Sequence, residues 1–158
     1  MNERGYYPQR WEEVPRKVYE PAERLKALDR DRVDAEVLFP NGPGGTFFYD
    51  DVAFELDCVR AYNDALAEFR RVSERFVSLA IIPFMSPMET IVSEVERAVK
   101  AGHMGINMLA DPSAAVKGLK NLGDPFWYPL WSVCQELGVG VHLHASAGLA
   151  GKLSLPQW

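Results

Sequence analysis

Four short apolar runs, separated by stretches of helical periodicity, constrain this 158-residue chain more than any other feature. The runs are VDAEVLF at 33–39, FVSLAII at 76–82, MGINML at 104–109 and VGVHLH at 139–144. The valine-rich first run closes at Pro40 and the second at Pro83, as strands do. FVSLAII shows little polar alternation, which suits a parallel strand covered on both faces.

Each gap reads as a helix. Pro21 suits the first turn of a helix through Glu23, Leu25 and Leu28. From Asp51, the residues Val52, Leu56, Val59, Tyr62, Leu66 and Phe69 recur every three or four positions. Asp57, Arg60, Asp64, Glu68 and Arg71 occupy the opposite face. Ser86 stands as a cap with Glu89 three residues on, followed by buried Met88, Ile91, Val92, Val95 and Val99, with Gly102 ending the helix. Pro129 to Leu137 forms a shorter helix that turns Leu130, Cys134 and Leu137 inward and stops at Gly138. Strands separated by helices are spaced as βαβ units, so the class is α/β with a parallel sheet. The spacing leaves two architectures open: an open doubly wound sheet, or part of an eight-stranded barrel. Residues 1–20, with Gly5, Pro8 and Pro15, lack periodicity and read as an irregular arm before a domain over 21–158.

In both architectures ligands gather where strands run out at their carboxyl ends. Those places are Phe39-Pro40-Asn41, Pro83-Phe84-Met85, Met108-Leu109 and His144-Ala145-Ser146. His142 and His144 are two residues apart on one strand, so both side chains face the same side. Neutral imidazoles at a strand terminus can bind a divalent metal; hydrogen-bonded core histidines have the same spacing. His103, between a helix and the next strand, reads as a surface or loop residue.

Other chemistries find little support. The loop NGPGGT at 41–46 lacks the lysine of a phosphate-binding loop, and no G-x-G-x-x-G or G-x-S-x-G occurs. Phe126, Trp127, Tyr128 and Trp131 read as helix-to-sheet packing. A net charge of -5, with 17 basic residues scattered along the chain, gives no footprint for nucleic acid. No run approaches the length of a membrane span, and the polar start has no apolar signal segment. With two cysteines, Cys58 and Cys134, free thiols in a reducing cytoplasm are expected.

The blocks RLKALDRDRVDAEVLFPN (24–41), AYNDALAEF (61–69), ERFVSLAIIP (74–83) and DPFWYPLWSVCQELGVGVHLHASAG (124–148), in this order, resemble the amidohydrolase-related proteins. The branch holding aminocarboxymuconate semialdehyde decarboxylase and related aromatic-acid decarboxylases and hydrolases is the most similar. The resemblance implies a (β/α)8 barrel with a divalent metal, commonly zinc, at the carboxyl ends of its strands. It implies that His144, in ELGVGVHLH, is the family's middle-strand ligand. His142 is then not the family's first-strand H-x-H pair. That pair belongs before the strand at 33, where residues 1–32 contain no histidine. The family's later histidine and terminal aspartate have no counterpart here either. The expectation is therefore a partial barrel of about four strands, a segment of a metal-dependent hydrolase or decarboxylase. Its substrate would be a small carboxylated or carbonyl-bearing molecule, with Asn41, Phe84 and His142 lining the pocket. The rival expectation is a non-catalytic half-barrel that pairs with itself or with a partner.

Overall fold

A computed structural model describes residues 8, 10–40 and 51–144. Two short 3-10 turns, Trp11–Glu13 and Arg16–Val18, lead into α1 (Pro21–Asp31), β1 (Glu36–Leu38), α2 (Val52–Val72) and β2 (Phe76–Ile81). Then come α3 (Met88–Lys100), β3 (Gly105–Leu109), the single turn α4 (Pro112–Ala115), α5 (Tyr128–Leu137) and β4 (Gly140–His144).

The four strands pair in parallel in the order β1-β2-β3-β4. A doubly wound sheet reverses direction at a switch point; this order has none, as in a barrel wound one strand at a time. Curvature settles the choice. Neighbouring strands lie about 4.8 Å apart, so β1 and β4 would be some 14 Å apart in a flat sheet. Yet the Phe39 ring, one residue past β1, lies 5.8 Å from the His142 ring on β4 and meets it edge to face. The sheet therefore curls into a half-barrel with helices outside.

The core lies between sheet and helices. Ile106 and Met108 of β3, Ile91 and Val95 of α3, and Leu130, Val133 and Cys134 of α5 form one buried cluster with Ile82, Phe84 and Trp127. Helix ends follow local chemistry. Asp51 caps α2 by accepting from Phe54 N at 3.0 Å, and Gly138 ends α5 at φ +67°.

Four expectations need correction. Ser86 does not cap α3: Pro87 holds that position without a side-chain bond, and the buried Ser86 Oγ has no partner among the described residues. The fully buried row of α2 is Glu55, Val59, Asn63 and Ala67, while Val52 is 37% exposed. His103 does lie in the loop between α3 and β3, but it is buried and not at the surface, and its Nε2 donates to the Asn63 carbonyl at 3.0 Å. Leu137 stays exposed at the end of α5.

Candidate functional site

The carboxyl ends of the strands define the mouth of the half-barrel. Register pairs Gly105 with Gly140, Asn107 with His142 and Leu109 with His144. Register partners on parallel strands share a face, so Asn107, His142 and His144 lie together on the side away from Ile106 and Met108. That side is the barrel interior. Leu79 and Ile81 of β2, in register with Gly105 and Asn107, continue it and are buried.

The two histidines hold different places. A Cβ on Gly105 would lie 3.0 Å from His142 Nε2 and 2.7 Å from the Gly140 carbonyl oxygen, and one on Gly140 would lie 3.0 Å from His142 Nε2. The His142 ring therefore leans toward the amino-terminal end of the strands, into space left by two missing side chains. His144 ends β4 at the mouth, its carbonyl accepting from Ala110 N at 3.3 Å. Phe39 stands beside both rings, 5.8 Å from His142 and 6.4 Å from His144.

Asn107 adds an unmatched acceptor. It is 2% exposed, and its Oδ1 has no hydrogen-bond partner among the described residues. A buried amide oxygen without a donor is costly, so the interior carries acceptor capacity that the described residues leave open.

The remaining sequence candidates fall as follows. Phe84 is buried with its ring 6.4 Å from Trp127, in the layer between sheet and helices. Asn41 lies outside the described residues. Of the aromatic cluster, Trp127 is fully buried and Trp131 packs against the core, while Tyr128 is exposed. Cys58 and Cys134 are free thiols, and burial pushes the Cys134 thiol up. Sequence reasoning passed over Asn107, although one polar residue inside the otherwise apolar GINML was a visible signal.

A metal tests the fit of these residues. Among the described residues, no three of histidine, cysteine, aspartate and glutamate gather closely enough to hold an ion. The described residues alone therefore do not make a metal site; His144 offers a single imidazole at the carboxyl end of β4.

The amidohydrolase family's sequence model matches residues 8–156. The chain is 31% identical over 150 residues to the 2-amino-3-carboxymuconate-6-semialdehyde decarboxylase of Dictyostelium discoideum, covering 92% of this chain and 39% of that protein. It is 26% identical to the 2-keto-4-carboxy-3-hexenedioate hydratase of a Sphingobium species, covering 89% of this chain and 42% of that protein. Among solved structures, a dihydroxybenzoic acid decarboxylase from Polaromonas, with bound manganese and the inhibitor 2-nitroresorcinol, superposes with a TM-score of 0.67. That match is 25% identical and covers 82% of this chain and 40% of that one. The chain thus spans about two fifths of the length of the relatives it matches.

Proposed function

The chain belongs to the amidohydrolase family, and from that premise we propose that it is one segment of a metal-dependent decarboxylase, hydratase or hydrolase. The substrate class is a small molecule bearing carboxylate or carbonyl groups, as the decarboxylase and hydratase relatives suggest. We place the start of the barrel segment at residue 21, where α1 begins, with the described residues before it leading in through two 3-10 turns. The observation that carries the reading is the placement of His144: it ends β4 on the interior face of a half-barrel, where ligands of such folds gather.

His144 contributes one nitrogen donor to a divalent metal whose other ligands lie outside the described residues. Zinc is the metal the sequence resemblance implies, and manganese is the one held by the Polaromonas relative. His142 and Phe39 form the apolar-edged floor and wall beside it. Asn107 Oδ1 supplies an acceptor for a hydroxyl or a protonated group of the substrate. Asn41, three residues past β1 in the sequence, is assigned to the surroundings of the pocket, whereas Phe84 packs between sheet and helices and takes no part in it.

The test is metal content and turnover in a protein that includes the flanking sequence. His144→Ala is expected to reduce bound zinc or manganese at least tenfold and to abolish turnover. Unchanged stoichiometric metal in that variant would remove His144 from the ligand set. Activity that survives both chelation and His144→Ala would overturn the reading as a whole.

A second reading rests on the outer face of β4. Val141 and Leu143 are in register with the buried Ile106 and Met108, yet are 37% and 52% exposed. A half-barrel that associates with itself would cover such a face. Sedimentation equilibrium distinguishes a monomer from that assembly.

A further inference from the structure

Glu55 is the one carboxylate in the buried row of α2 whose role neither the metal reading nor the ion pairs of the helices explain. It is 1% exposed. Both of its oxygens lie 3.1 Å from Met85 N, and the Phe84 amide also donates to it. Those two amides belong to the turn that leaves β2, closed by Ser86 N donating to the Pro83 carbonyl at 3.1 Å. A single side chain thus fastens the first turn of α2 to the carboxyl end of β2.

The charges around it are few. Residues 83–87 of the turn carry no ionisable side chain. On α2 the neighbouring acids are Asp51, engaged with Phe54 N, and Asp57, which is exposed; on α3 the first is Glu89, also exposed. Among the described residues, no charged group influences the Glu55 carboxyl. Burial raises it from 4.5 to about 7, against the lowering effect of the Met85 and Phe84 amides.

We propose that the Glu55 carboxyl is a proton-controlled clasp: protonated, it keeps the Phe84–Met85 turn closed on α2, and ionised, it favours release of that turn so that water reaches the carboxylate. The physical basis is the contrast between closed and open environments. Closed, the carboxylate has two amide donors and is shut off from bulk solvent. Open, it regains full hydration, which the neutral acid needs far less. The clasp sits just past the carboxyl end of β2, the same end of the sheet at which His144 terminates β4. It requires no metal and stands independently of the catalytic reading.

Linkage gives the sign. The closed form binds the proton more tightly than any form with a solvated carboxyl, so closure is favoured at low pH and loses ground as pH rises through about 7. The readout is amide hydrogen exchange of Phe84 and Met85 in this chain, normalised for the intrinsic pH dependence of exchange. Protection of both amides should fall about tenfold per pH unit between 4.5 and 7, about 300-fold in all, then level off. The Ile106 amide should remain the better protected of the two regions, which marks the opening as local. Glu55→Gln, neutral at every pH, should make protection of the turn independent of pH. Flat protection in the unmodified chain, an unchanged slope in Glu55→Gln, or equal protection of Met85 and Ile106 would each overturn the proposal.

Discussion

Gly105 and Gly140 decide where His142 can lie. Neither has an unusual backbone conformation; what matters is the absent Cβ under the imidazole. Gly105→Ala would press a methyl to 2.7 Å from a backbone oxygen that cannot rotate away. We expect it to destabilise the fold by about 1–3 kcal/mol in chemical denaturation and to displace the His142 ring, shifting its NMR resonances. His103 offers a second test at this scale. Burial lowers its affinity for a proton, with the nearby Arg97 charge acting in the same direction. The unfolded chain takes up a proton near pH 6.5 that the folded imidazole refuses, so stability is full above 6.5 and falls as pH drops below it. Melting temperatures from pH 5 to 8 should show this limb, and His103→Asn should flatten it. Glu55→Gln is the better background for that measurement, because Glu55 acts in the opposite direction from 7 down to 4.5. The pairing of His142 and His144 on one face was legible in the sequence, since strand alternation is local. Their separation into floor and mouth was not, because it depends on glycines from two different strands.

Among the elements, α2 departs furthest from its pattern. Its apolar residues recur at helical spacing, and Leu56, Tyr62, Leu66 and Phe69 are indeed half-buried. The row pressed deepest, however, is polar at two of its four positions. Asn63 explains this. Its amide donates to the Ile81 carbonyl at 3.0 Å and to Glu94 at 2.8 Å, and its oxygen accepts from Ile81 N at 2.9 Å. One side chain therefore extends the hydrogen bonding of β2 and ties it to α3. Arg97 grips Glu94 through two bonds of 2.8 and 2.9 Å, and so keeps a fully buried carboxylate paired. Removing Asn63 strands two buried backbone groups and part of that carboxylate. Asn63→Leu should cost about 2–4 kcal/mol in urea titration, despite being a change to an apolar residue at a buried site. Periodicity identified the helix and its length. It could not identify this row, because hydrophobicity ranks Asn63 and Glu55 as surface residues until their partners on β2 and α3 are in place.

At the scale of the molecule, the half-barrel has an inner face, an outer layer of helices and two flanks. β1 is three residues long, and its Val37 and the following Phe39 are each 45% exposed. On the other flank Val141 and Leu143 are exposed where their register partners are buried. Apolar strand surface of this kind promotes association. Expressed as these 158 residues, the chain should bind a hydrophobic dye and self-associate at micromolar concentration. Leu143→Glu should weaken both, as read by fluorescence and light scattering. A monodisperse monomer without dye binding would argue that the flanks are covered. No helix among the described residues is long and apolar enough to cross a membrane, in keeping with the absence of any such run in the sequence.

Sequence by itself determined the class, the order of the elements and the strand ends where chemistry gathers. Those follow from backbone geometry, hydrophobic period and proline or glycine punctuation, all of which act over a few residues. Block order carried the family as well, since several spaced segments are more specific than one motif. Tertiary structure decided what depends on residues distant in the chain. It curled the sheet until Phe39 met His142, buried His103 under α2, and left Asn107 Oδ1 on the interior face unmatched by any described residue. It also closed Glu55 over the end of β2. Each of these is set by burial and by a partner dozens of residues away, and no local pattern encodes either.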